Sequence, residues 1–190
     1  GVAAVARGAP DEEELAHHLE QRALEAREAG LDEGAAEQEA RRALELESKD
    51  GWGVHAGTHV MEMQGRAKEG ADFLETGADG WAPNSMFAFH LWWHKALFHI
   101  SLGDSAAVLD AYDNHVWGIS PDYSQDQVGA VSLLARMEVA GMDVGGRWED
   151  VARHMTGRAT DTIQPFLSLQ YLYGLARAEY AGADRLMQAI

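Results

Sequence analysis

The chain has 190 residues, with 31 acids against 15 Lys and Arg, a formal charge of −16. Such a balance opposes binding to phosphate backbones and anionic lipid, and no basic patch offsets it, so neither nucleic acid nor a membrane surface is expected as a partner. There is no cysteine, which removes disulfides, thiol catalysis and thiolate zinc sites.

Hydrophobic residues make up 46% of the chain, enough for a sizeable core. Half of the charge lies at the start: residues 1–50 hold fourteen acids and six Lys or Arg, a balance of −8. No run of about eighteen apolar residues exists, so no membrane span is expected. The opening "GVAAVARGAP" is too short and too weakly patterned for a signal peptide. A cytoplasmic location is the expectation. The chain opens without Met and stops at "RLMQAI" with no capping signal, which suggests a segment of something longer.

In chain order the pattern is one of helix pairs. The first pair is expected over 11–29 and 31–47, opening at "PDEEEL", where Pro10 and Asp11 suit a helix start and the acids favour its positive end. The second covers 51–64 and 67–77, followed by the loop "TGADGWAPNS". The third covers 85–102 and 104–116, and "GISPDYSQ" breaks the pattern again. The fourth covers 124–140 and 147–156, and the last 161–180 and 183–190. No run alternates with period two, so no strands are expected. Gly30, Gly65, Gly103 and Gly141 are 35, 38 and 38 residues apart, and Gly182 follows after 41. Each ends an apolar helical run, where glycine takes φ > 0 without steric cost. After the first three, a small or β-branched residue sits five positions on: Ala35, Gly70 and Val108. Self-similarity at this period marks a helical solenoid. The domain expectation is one repeat domain over 1–190, with repeats at roughly 11–47, 51–77, 85–116, 124–156 and 161–190.

The histidines carry the chemistry. "HAGTH" places His55 and His59 four apart, and Glu62 falls on the same stripe, within about 60°. "HLWWHKALFH" holds His90, His94 and His99. His90 and His94 share a face, while His99 points roughly 140° from His94. The apolar residues of that helix go all the way round, so its histidines are expected to be shielded and in need of partners. Two imidazoles and a carboxylate on one face suit half of a metal site, or equally a hydrogen-bonded ladder in which Glu62 fixes a tautomer. His99 and His115 read as structural or exposed, and His17, His18 and His154 as solvated. Trp52, Trp92, Trp117 and Trp148 read as packing between helices, Trp81 as a lid over a groove or, the favoured reading, an anchor for its loop, and the Met61–Met63 pair as core. G-x-S-x-G and G-x-x-x-x-G-K signatures are absent.

"GWGVHAGTHVMEMQGRAKEG", followed by "MFAFHLWWHKALFHISLGDSAAVLDAYDNHV" and by "LLARMEVAGMDVGGRWEDVA", resembles the tetratricopeptide repeat protein 38 family over about residues 35–156. The resemblance implies an all-α, right-handed α-solenoid of tetratricopeptide-like repeats and little about activity. Family members are typically longer, which fits a segment. The family tends to carry a further histidine in the last segment, where this chain has Gln170 within "FLSLQYLYG". With Gly65 and Gly103 taken as equivalent, the resemblance puts His55, His59 and Glu62 on a concave groove in one repeat and His90 and Trp93 there in the next. His94 then falls beside the groove and His99 towards the second helix.

The expected ligand-binding set is therefore His55, His59, Glu62, His90, Trp93 and His94. The favoured function is a binding or scaffold protein holding a peptide or small polar ligand in a groove lined by histidine and tryptophan. The alternative is an enzyme: His55 or His59 as general base oriented by Glu62, His90 as the acid, with or without metal assistance. No catalytic residue is assigned, and neither a metal nor a cofactor is expected. Other expected partners are a missing C-terminal part of the same protein and, through exposed apolar surface at the C-terminal end, a second copy in a homo-oligomer.

Overall fold

A computed structural model describes residues 33–83 and 88–190. Among them the protein is all helical, with no strand: α1 (Glu33–Leu46), α2 (Gly51–Met63), α3 (Ala67–Trp81), α4 (Ala88–Leu102), α5 (Ser105–Ala111), α6 (Ser124–Val139), α7 (Arg147–Met155), α8 (Pro165–Arg177) and α9 (Gly182–Ala189). A π-helical turn, Tyr112–Val116, extends α5, and a 3-10 turn, Thr156–Arg158, extends α7. The helix expected over 11–29, with His17 and His18, lies outside the described residues. None of the described helices is long and apolar enough to cross a membrane.

Four helices close in the same way. At Gly65, Gly103 and Gly141 the backbone turns left-handed, with φ of 69°, 72° and 78°. In each case the next residue's N–H reaches back to a carbonyl five positions earlier: Arg66 to Met61, Asp104 to His99, and Met142 to Met137, at 2.9, 3.0 and 2.9 Å. The glycine N–H bonds three positions back, so two terminal carbonyls of each helix are satisfied. The fourth closure corrects the sequence reading. Gly182 was expected at the turn, but it is the first residue of α9, and Glu179 takes the left-handed conformation with φ 55°. Tyr180 N–H bonds to Leu175 O at 2.9 Å, as in the other three. The left-handed positions 65, 103, 141 and 179 are thus 38 residues apart throughout.

The chain divides into two compact units between Leu91 and Trp92, within α4. In the first, α1 packs on α2 and α2 on α3. Small residues bring them together: Ala36 and Ala40 of α1 cluster with Ala56 and Val60 of α2. A Cβ added at Gly57 would lie 3.3 Å from the Phe73 ring of α3. Asp50 caps α2, accepting from the N–H groups of Trp52 and Gly53 at 3.0 Å each. Arg66, just past the closure of α2, donates to Glu37 of α1 at 2.6 Å and pairs with Glu69 of α3, so charge ties all three helices.

The sequence ends the second helix of this pair at 77, yet α3 runs on to Trp81. Gly80 passes close to the turn before α2: an added Cβ would sit 3.4 Å from Ser48 O. Trp81 is fully buried and donates from its indole to Leu74 O at 3.2 Å. It anchors the segment as expected, but from the last turn of a helix. Trp52 departs from the packing role expected for it, at 45% exposed. Met61 is core, whereas Met63 is exposed.

The second unit has the larger apolar core. Val131, Leu133, Leu134 and Met137 of α6 meet Trp148, Val151 and Met155 of α7, Tyr171 and Leu175 of α8, and Leu186 of α9. Helices α6, α7 and α8 approach closely at Gly174, where an added Cβ would stand 2.4 Å from Met155 Cε and 2.9 Å from Val131 Cγ2. Polar ties hold the connections. Trp117 donates from its indole to Asp150 at 2.7 Å, and Arg147 pairs with Asp113. Buried Gln127 donates to Pro121 O at 2.8 Å and to His154 O at 3.2 Å. Trp92, Trp117 and Trp148 pack in this unit as expected. On α8, Phe166, Leu169 and Tyr173 remain exposed, as do Met187 and Ile190 after them, while Leu186 is fully buried.

Candidate histidine site

Helix α2 is apolar enough to bury most of its length, and its histidines fall where that burial is incomplete. Val54, Ala56, Gly57, Thr58, Val60 and Met61 are buried, whereas His55, His59 and Glu62 are half-buried. Thr58 returns its hydroxyl to Val54 O at 2.8 Å, so the polar side chain inside the packed face is satisfied within the helix. His55 and His59 stand one turn apart on a continuous helix, and the four-residue spacing brings their rings to 4.4 Å between centroids.

Three ring nitrogens meet. His59 Nε2 lies 2.9 Å from His55 Nε2, and His90 Nε2, from the first turn of α4, lies 3.2 Å from the same atom. The His55 and His90 rings stand 5.0 Å apart, edge to face. These three histidines all belong to the first unit. His94 follows His90 by one turn on the same helix and is 1% exposed. One ring nitrogen from each of His55, His59 and His90 falls within 4.8 Å of the other two. Burial lowers the His90 pKa below the usual histidine value, and the charge of the Glu62 carboxylate acts in the opposite direction. Trp52 stands edge-on to His55, 6.1 Å between centroids, at the exposed margin of the cluster.

The structure thus brings together His55, His59 and His90, with Glu62 near enough to act on His90, as the sequence reading expects. His94, also named in the expected set, falls beyond the division of the chain, in the second unit. Trp93 packs against the core of the second unit, with the Arg136 guanidinium 5.2 Å from its ring centre. His99 lies 3.6 Å from Asp104, and His115 stacks on Trp92 at 3.8 Å. Both are structural positions, as expected. His154 lies 3.6 Å from Asp122 and edge-on to Trp117, at the surface.

A separate open cleft of about 410 Å³, lined by Arg41, Leu44, Val54, Met61 and Phe73 among others, contains none of the histidines. Imidazoles that share one space offer proton donors, lone pairs for hydrogen bonding or coordination, and acid–base capacity near neutral pH. No protein-family model and no solved structure matches the chain.

Proposed function

We propose that the protein is a tetratricopeptide-like helical repeat, a right-handed solenoid, that holds a small polar ligand on the face bearing His55, His59 and His90. The resemblance of residues 35–156 to the tetratricopeptide repeat protein 38 family supports the repeat reading. So does the 38-residue spacing of the four left-handed closures. The function rests on one observation: two imidazole nitrogens within 3.2 Å of His55 Nε2, from two different helices. Trp52 supplies an exposed aromatic wall at the edge of that face.

The test is equilibrium dialysis of the protein against a cellular extract of small molecules and peptides, with mass-spectrometric detection. Wild-type protein retains a compound that His55→Ala/His90→Ala, with an unchanged helical CD spectrum, does not. Identical retention by the two proteins overturns the reading. A second reading, a general acid–base enzyme, draws on Glu62, whose carboxylate acts on His90. Under that reading Glu62→Gln keeps the retained compound but stops its conversion, and conversion at the wild-type rate excludes it.

A further inference from the structure

We infer that His55, His59 and His90 together hold one divalent first-row transition-metal ion, of the kind exemplified by Zn2+. The inference rests on the reading of this face as a ligand site, and names the ligand held there. It begins with the in-plane chemistry of imidazole. Each ring nitrogen has a single in-plane position, which is either an N–H or a lone pair. Two other nitrogens address that one position of His55 Nε2, at 2.9 and 3.2 Å. One N–H···N hydrogen bond is well aligned for one of them; a cation at the common centre accommodates lone pairs from all of them.

The distances agree with that centre. A Zn–N bond of about 2.0–2.1 Å in a tetrahedral site puts neighbouring ligand nitrogens about 3.3–3.4 Å apart. The two short nitrogen–nitrogen separations lie near this value, and the whole set of three lies within 4.8 Å. Small rotations of side chains already in place therefore close the set. Two helices also form a sound scaffold: α2 fixes His55 and His59 on one stripe and the first turn of α4 carries His90, so little ordering remains for binding.

The donor set selects the metal class. Three imidazoles with neither thiolate nor carboxylate favour Zn2+, Ni2+ or Cu2+ over Mg2+ and Ca2+, which require oxygen ligands. The three rings are half-buried, so the ion would sit beneath a partly open face. That arrangement leaves exogenous ligand access on the side of Trp52, which joins the metal to the ligand reading.

The test uses the whole chain, stripped with a chelator and dialysed, with Co2+ and Zn2+ alone as probes. One Co2+ per chain should bind with the visible absorption of four-coordinate, nitrogen-ligated Co2+, and Zn2+ should displace it. Mg2+ should not compete. His55→Ala and His90→Ala should each weaken Co2+ binding by about 100-fold or more. His115→Ala and His154→Ala should leave it unchanged, which separates the cluster from histidines outside it. Should an alanine variant lose its helical CD spectrum, His55→Gln and His90→Gln provide the same comparison at similar side-chain size. The absence of saturable one-to-one binding by the wild type overturns the inference, as does undiminished affinity in a folded variant at position 55 or 90. A compound retained in the dialysis experiment by metal-stripped protein would leave the ligand reading standing without the metal. Metal binding with no retained compound would do the reverse.

Discussion

Helices α2 and α6 are closed by left-handed glycines, and counting back from Gly65 and Gly141 puts them in register. Four residues before the glycine stand Met61 and Met137, seven before stand Thr58 and Leu134, and eleven before stand Val54 and Ala130, all buried. The packing positions coincide. The helices part at ten and six residues before the glycine, where α6 has Val131 and Ala135 and α2 has His55 and His59. Val131 is fully buried in an apolar core, whereas both histidines are half-buried beside other imidazoles. A helix closed in this way accommodates valine and alanine at those steps. Half-burying polar rings there costs desolvation with no packing return, which supports a role in holding a ligand.

The largest effect should come from the shared packing positions. Leu134 is fully buried where α6 meets its neighbours. Leu134→Ala should destabilise the second unit by about 3 kcal/mol, read from urea or thermal unfolding. A loss well under 1 kcal/mol would mean that the core collapses around the change and that the register comparison carries no energetic weight.

A direct transplant sharpens the comparison. His55→Val/His59→Ala gives α2 the residues of α6 at the two diverging steps. The double variant should keep its helical content and be more stable by about 1 kcal/mol, the usual result of relieving a functional site. It should also lose Co2+ binding. A clear destabilisation would show instead that the imidazoles are packed as structure.

Much of this architecture was legible in the sequence, for identifiable reasons. Glycine at 65, 103 and 141 is a local signal, because only local backbone geometry decides it. The His55–His59 and His90–His94 pairs are likewise fixed by helical spacing. What escaped depends on contacts between segments distant in the chain. The extension of α3 to Trp81 requires Gly80 to pass Ser48 O, and no local pattern around "TGADGW" records that approach. Trp93 was placed by repeat analogy, and the core of the second unit claims it.

The fourth closure was hidden because glutamate carries no turn signal. It also offers a smaller test of the register. Glu179 holds φ 55°, a conformation that disfavours a residue with a Cβ. Glu179→Gly should stabilise the second unit by about 1 kcal/mol, whereas Gly141→Ala should destabilise it by a similar amount. Equal and negligible effects at both positions would break the equivalence of the four closures.

The smallest effect distinguishes how the two units are held. The first unit packs small residues and ties its helices by charge, through Glu37, Arg66, Arg41 and Glu69. The hydrogen bond from Arg66, with further help from Arg41, holds the Glu37 carboxyl at about 2, below its ordinary 4.5. Because the folded-state value is the lower one, the stabilisation is complete above the unfolded value and is lost as pH falls from about 4.5 towards 2. The pair is partly exposed, so its contribution is about 0.5 kcal/mol and shrinks in salt. Hydrogen exchange of α1 amides, corrected for intrinsic rates, should therefore show faster opening at pH 3 than at pH 5, and Glu37→Gln should remove most of that difference. Within the apolar centre of α6, around Leu133 and Leu134, the same pH change should have less effect, since those side chains do not titrate. If α1 in wild type and Glu37→Gln responds identically to acid, the charge network does not hold the first unit, and its small-residue packing suffices.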